Sequence, residues 1–164
     1  MSQPLPVGDL EESVGYLLKR ASVALRAAMD AELRPLGLTV PQYSCLEVLG
    51  QRPGVSNSEL ARSVFVTRQS MNGVLRGLQD RGLITRPAQA PHGRILPTRL
   101  TPTGRDQLAI ASTLVHAVEE RMVHALSSSD RHRLRDDLAA CASALDPTDR
   151  VDTSATADPG SALR

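Results

Sequence analysis

Between residues 56 and 82 the sequence SNSELARSVFVTRQSMNGVLRGLQDRG holds two helix-start signals, with room for only one short helix between them. Ser56 followed by Glu59 makes a capping box, in which the hydroxyl accepts from the backbone of the third helical residue and the carboxylate reaches back to the cap. The helix that it opens runs through Val64 and would bury Leu60, Ala61 and Val64. Phe65 and Val66 form a tight turn. Thr67 then caps a further helix, which ends at Gly82 in the left-handed conformation that glycine adopts most easily. Met71, Val74, Leu75 and Leu78 lie together on the inner face of this helix. Two short helices across a brief turn form a helix-turn-helix arrangement, and helices of this length hold only when an apolar face is packed.

The flanking sequence supplies the packing partners. Asp9 and Glu12 read as a capping box before a long first helix, along which Leu10, Val14, Leu17, Leu18, Ala21, Leu25 and Ala28 recur at helical spacing. That helix should stop near Leu33, because Pro35 and Gly37 follow. Thr39 with Gln42 starts a second helix, whose stripe of Tyr43, Leu46 and Leu49 ends before Pro53-Gly54. After the helix-turn-helix, LITR and ILPTRLT read as short strands joined by PAQAPHG, with Pro97 confined to an edge. Thr101-Pro102 opens a fifth helix to about Leu126, with Leu108, Ala111, Val115, Val118, Met122 and Ala125 at a heptad-like spacing. Leu134, Leu138, Cys141 and Leu145 continue that pattern in a last helix. Both terminal helices therefore call for a partner, and part of that seam is expected to join two copies of the chain. Residues 1–8 read as a flexible start, residues 9–145 as a single domain, and the polar stretch 146–164 as a disordered tail.

Hydrophobic residues make up 41% of the 164 residues and charged residues 23%, a globular balance, but aromatics are only 2%, so the core must be aliphatic. The first residues lack a basic segment followed by an apolar run, no stretch reaches membrane-spanning length, and two cysteines fit a reducing compartment. A cytoplasmic location with no membrane contact is expected. No strand-turn glycine loop, nucleophile elbow, paired acid cluster or metal quartet is present, so no catalytic residue, cofactor or metal is assigned.

The net charge of +1 conceals a division along the chain: residues 1–55 sum to −1, residues 56–105 to +6 and residues 106–164 to −4, counting Asp, Glu, Lys and Arg. From Thr67 to Arg105 the only acid is Asp80, among seven arginines. On a helical wheel Arg68, Gln69, Asn72, Gly73 and Arg76 lie opposite the apolar stripe. Arginine matches guanine, and asparagine or glutamine matches adenine, in paired hydrogen bonds, whereas acids on that face would repel phosphate. Ser56, Ser58 and Arg62 on the preceding helix are candidates for phosphate oxygens. His92 and Arg94 flank Gly93 at the hairpin tip, where an arginine can enter a narrow minor groove.

The stretch from LTVPQYSCLEVLGQRPGVSNSELARSVFVTRQSMNGVLRGLQDRGLITR to RLTPTGR resembles the MarR family of winged helix-turn-helix transcriptional regulators, a resemblance that covers residues 9 to 145. It implies a mainly α fold, a winged helix-turn-helix lobe at about 39–101 with a two-stranded wing, and terminal helices at about 9–34 and 102–145 forming a dimerisation platform. It implies major-groove or phosphate roles for Thr67, Arg68, Gln69, Ser70, Asn72 and Arg76, and a wing role for Arg94. The tip departs from the family pattern, since QAPHGR at Gln89 to Arg94 lacks the usual aspartate and one arginine.

The function so implied is a sequence-specific, dimeric DNA-binding repressor that reads an inverted repeat in double-stranded DNA and is released by a small aromatic or phenolic effector. Tyr16, Arg20 and Tyr43 are candidates to line the effector pocket. The alternative is a winged-helix module that binds protein without DNA, which would call for an apolar outer face on the fourth helix. Cys45 and Cys141 both read as buried small hydrophobes.

Overall fold

The computed structural model describes residues 9–86 and 98–146, in two compact units, Met1–Met122 and Val123–Arg164, which are taken in turn. The sequence expectations for residues 1–8, the hairpin tip with His92, Arg94 and Pro97, and the tail beyond Asp146 lie outside the described residues.

In the first unit the order is α1 (Val14–Leu33), α2 (Val40–Gln51), α3 (Asn57–Ser63), α4 (Arg68–Asp80), β1 (Ile84–Thr85), β2 (Arg99–Leu100) and α5 (Pro102–Met122). Helix starts fall where hydroxyls meet free N–H groups. Thr39 and Gln42 bond reciprocally at 3.3 and 3.0 Å, and Ser56 and Glu59 at 3.2 and 2.8 Å, so both capping boxes are formed. The first helix begins later than its sequence signal. Asp9 caps only a 3-10 turn at Leu10–Glu12, because Ser13 adopts an extended conformation and accepts from the Tyr16 amide, restarting the chain as α1.

Leu33, Leu46, Leu49, Leu60, Met71, Leu75 and Leu78 are fully buried, with Cys45 among them, and form the aliphatic core that the composition requires. Helix α4 packs on α2 and α3, and α5 packs on α1 and α2. Ala111, Val115 and Val118 of the heptad stripe are buried within this unit. By contrast, Leu10 in the 3-10 turn and Val14, Leu17, Leu18 and Val23 along α1 remain 45–73% exposed.

The two strands pair antiparallel, Ile84 opposite Leu100 and Thr85 opposite Arg99. Thr101 fastens this hairpin to its neighbours. Its hydroxyl donates to the Gly82 carbonyl at 2.7 Å and accepts from the Gly104 amide at 2.9 Å, while its own amide donates to the Leu83 carbonyl at 3.0 Å. The start of α5 is thus drawn so close to β1 that a Cβ on Gly104 would overlap the Leu83 carbonyl.

The second unit contains α6 (Ser128–Leu145), capped by Ser127, whose hydroxyl accepts from the Asp130 amide. The preceding helix ends at Met122 rather than near Leu126, because the chain turns at Val123–Leu126 and Ser127 starts anew. None of the α6 residues is buried, and Leu134, Leu138 and Leu145 are 39%, 43% and 75% exposed. Cys141, expected in a core, is exposed on this helix.

Gly104→Ala should cost about 1–3 kcal/mol or more, since a backbone carbonyl cannot rotate away from the added methyl. The urea midpoint measures this, and an unchanged midpoint would mean that α5 and β1 do not approach as described.

Candidate nucleic-acid interface

Helix α4 is buried on one side only. Met71, Leu75 and Leu78 are fully buried and Val74 partly so, while Thr67, Arg68, Gln69, Ser70, Asn72, Gly73 and Arg76 are exposed. Thr67 caps the helix by accepting from the Ser70 amide at 3.1 Å, and its hydroxyl donates to the Ser70 Oγ at 2.9 Å, leaving the Ser70 hydroxyl proton directed elsewhere. No acid lies in the first turn of α4. Among the described residues no carboxylate pairs with Arg68 or Arg76.

The N-terminus of α3 differs. Its first turn contains Glu59, whose carboxyl is held below the usual carboxylate range by hydrogen bonds from the Ser56 hydroxyl and backbone. Ser56 is thus committed to its own helix, and the charge beside it opposes an anion. Ser58 and Arg62, farther along α3, instead line with Arg68 of α4 a cleft of about 210 Å³. The sequence-predicted residues therefore converge on α4 and the adjoining flank of α3.

Two contacts that the sequence does not signal hold this surface in place. Asn57 Nδ2 donates to Asn72 Oδ1 at 2.8 Å, tying α3 to the outer face of α4. Arg81, just past α4, donates to the Gly37 and Leu36 carbonyls at 2.6 and 3.0 Å, fixing that end of the helix to the corner between α1 and α2. The glycines of α4 are also distinct: a Cβ at Gly77 would meet Gln42 Nε2 at 3.0 Å, whereas one at Gly73 meets nothing within 4 Å among the described residues. Packing inside the chain therefore accounts for Gly77 and not for Gly73.

The three effector candidates are not gathered at one place by direct contact. On α1 the Arg20 guanidinium lies over the Tyr16 ring, 5.8 Å from its centroid. Tyr43 is buried, and its hydroxyl donates to Glu47 at 3.2 Å. Glu47 also accepts from Gln51 at 2.7 Å and from Ser112 of α5 at 2.8 Å, forming a polar knot between α2 and α5. Burial raises the Tyr43 pKa above its ordinary value. A separate groove of about 480 Å³ opens between α1, α2 and the α3–α4 turn, with Leu25, Met29 and Val40 in its wall, Ser22, Ser44 and Arg26 as polar groups, and Phe65 at the turn. Phe65 is 94% exposed and has φ +57°, an unusual conformation for a bulky residue.

A short helix followed by a one-sided helix of exposed donors, and then by a strand pair, defines a protein of the winged helix-turn-helix class. Residues 36–95 match a model of the MarR family. The chain is 43% identical over 122 residues to the HTH-type transcriptional repressor Rv2887 of Mycobacterium tuberculosis, spanning 74% of this chain and 88% of that protein. The structure of Rv2887 in complex with DNA is 40% identical at a TM-score of 0.66, covering 79% of this chain and 97% of that one. In complex with salicylic acid it is 42% identical, again at 0.66, covering 79% and 96%. The transcriptional repressor CouR bound to a 23-mer DNA duplex is 33% identical at a TM-score of 0.74, covering 85% and 99%. The chain belongs to the MarR family of helix-turn-helix transcriptional regulators, which places it among regulators and not among enzymes. None of the described helices is long and apolar enough to cross a membrane.

Burial pushes the Cys45 thiol up to about 12. In a Cys141→Ser variant the remaining thiol should therefore take up no iodoacetamide near about pH 8 while the chain is folded, and one equivalent in denaturant, as read by intact mass. Labelling of the folded variant would show that Cys45 is not sealed in the core.

Proposed function

We propose that this regulator is a dimeric repressor that lays α4 in the major groove of each half of an inverted-repeat operator and leaves the DNA when a small aromatic acid binds. The observation that supports it most is the exposed face of α4, with fork-shaped and amide donors at Arg68, Gln69, Asn72 and Arg76 above a buried stripe and its single acid, Asp80, at the far end. Asn72 and Arg76 are the base readers in this proposal. Thr67, Gln69 and Ser70 contact base edges or phosphates near the start of the helix, and Ser58, Arg62 and Arg68 hold backbone phosphate. His92 and Arg94, from their sequence position between the two strands, are the proposed contacts to the neighbouring minor groove. A protein-binding module would instead present an apolar outer face on α4.

Dimerisation is supported by the exposed leucines and valines of α1 and, in the other unit, by Leu134, Leu138 and Leu145 of α6. Exposed apolar stripes of this kind are seldom left to water, and two-fold pairing of identical chains covers them on both copies at once. Half-sites would then be centred about one helical turn of DNA, ~10 base pairs, apart. For the effector, the groove between α1, α2 and the α3–α4 turn combines an apolar wall with the Arg26 guanidinium and two hydroxyls, which suits an aromatic carboxylate. Salicylic acid in complex with Rv2887 supports this ligand class.

Fluorescence anisotropy with labelled duplexes from the gene's upstream region tests the proposal. Binding should weaken steeply with salt and fall on addition of salicylate, whereas equal affinity for specific and random duplex would refute sequence reading. Asn72→Ala or Arg76→Ala should cost about 1–3 kcal/mol and relax preference at one base pair. Arg62→Ala should weaken all sequences alike and lower the salt slope by about 1. Gly73→Ala should stabilise the fold by about 0.5–1 kcal/mol and yet weaken DNA binding, because its Cβ meets open space in the free chain but projects toward the groove. Thermal melts and the same anisotropy assay would separate the two effects.

A further inference from the structure

Asn57, the first residue of α3, lies beside a helix cap and has no sequence signal of its own. In the structure its Nδ2 donates to Asn72 Oδ1, while its own Oδ1 is buried with no hydrogen-bond partner among the described residues. The reverse orientation would bury an unpaired donor instead, and orphaned N–H groups are rarer in proteins than under-satisfied carbonyl oxygens. We infer that Asn57 is a positioning residue that determines base specificity, by fixing which end of the Asn72 carboxamide is presented to DNA. This rests on the reading of Asn72 as a base-contacting residue given above.

With its oxygen drawn toward α3, Asn72 turns its NH2 group outward. In the major groove guanine, adenine and thymine each expose an acceptor (N7, O6 or O4), whereas cytosine exposes only the N4 donor. Asn72 held in this way favours a purine or thymine and discriminates against cytosine at the base that it meets. The carbonyl oxygen keeps a second lone pair, so a paired contact with adenine stays open. A carboxamide without the Asn57 bond has no such bias, because its two ends are alike in size and exchange by a half-turn of the terminal torsion.

Selection of bound duplexes from a randomised pool, read by sequencing, gives the preference at every position for the wild type and for Asn72→Ala, Asn57→Ala and Asn57→Asp. The position whose preference Asn72→Ala erases is the one that Asn72 reads. There, Asn57→Asp should invert the choice: a carboxylate only accepts, so it draws the Asn72 NH2 inward and turns Oδ1 outward to accept from cytosine N4. Cytosine should be enriched about tenfold over its wild-type frequency at that position. Asn57→Ala should flatten the same position and leave the others unchanged. The added carboxylate weakens all sequences alike and cancels in the ratio, and ratios within a pool do not depend on the folded fraction. Wild-type preference retained at that position by both Asn57 variants overturns the inference while leaving Asn72 as a base reader. If Asn72→Ala leaves every position unaltered, the base-reading role fails first and this inference falls with it.

Discussion

Everything that α4 presents to solvent depends on the burial of Met71, Leu75 and Leu78 on its other side. A helix of 13 residues containing two glycines has little stability alone, so packing must supply it. Each fully buried aliphatic side chain contributes about 1.5–3 kcal/mol relative to exposure, enough to outweigh the glycines. Because the helix is secured from within, its outer face has little structural duty beyond the Asn72 contact with α3. Arginine, glutamine and asparagine can stand there without the acidic partners that would steady an independent helix and repel phosphate.

The anchoring extends to both ends. At the start, Thr67 satisfies the first turn, and the Asn57–Asn72 bond braces the outer face from α3. At the finish, Arg81 grips the α1–α2 corner, Gly82 reverses the chain, and Thr101 binds that reversal to β1 and α5. The exposed face of α4 is thereby joined to α1, which bears the exposed apolar stripe, and to the strand pair. A displacement of the α1–α2 corner would pass to the end of α4 through two hydrogen bonds rather than through a flexible link. The groove rimmed by Arg26 and Phe65 borders the same corner region and the turn ahead of Thr67. The groove therefore lies against the turn that leads directly into α4.

The capping boxes at Thr39 and Ser56 and the α4 cap at Thr67 were legible in the sequence because each is complete within three or four residues. The same locality explains the error at the first helix, where Asp9 and Ser13 both carry capping side chains and only the backbone at Ser13 decides between them. The one-sided burial of α4 was also legible, from helical periodicity. Asn57 and Arg81 were not, because their partners lie 15 and 44 residues away and polar residues carry no signature of a distant acceptor. Tyr43 was paired in expectation with Tyr16 and Arg20, whereas the fold gives its hydroxyl to Glu47 and leaves the other two together on α1. Heptad spacing identified the apolar faces of the terminal helices but not their occupants: Ala111, Val115 and Val118 are covered within the first unit, and Cys141 is exposed on α6.

The disposition of acids completes the electrostatic argument. A carboxylate near a DNA-facing helix is tolerable only where its charge is already engaged and directed away from phosphate. Glu59 meets that condition by closing the capping box of α3, at the cost of making that N-terminus a poor anion site. Helix α4 has no acid in its first turn and satisfies the Ser70 amide with the neutral Thr67 hydroxyl, so its positive N-terminal dipole is unopposed. Asp80, the single acid between Thr67 and Arg105, lies at the opposite end, farthest from that terminus. The two helices of the motif are therefore electrostatically unequal by construction. The choice of cap, a neutral hydroxyl alone on α4 and a hydroxyl with a carboxylate on α3, makes the start of α4 the more favourable of the two for an anion.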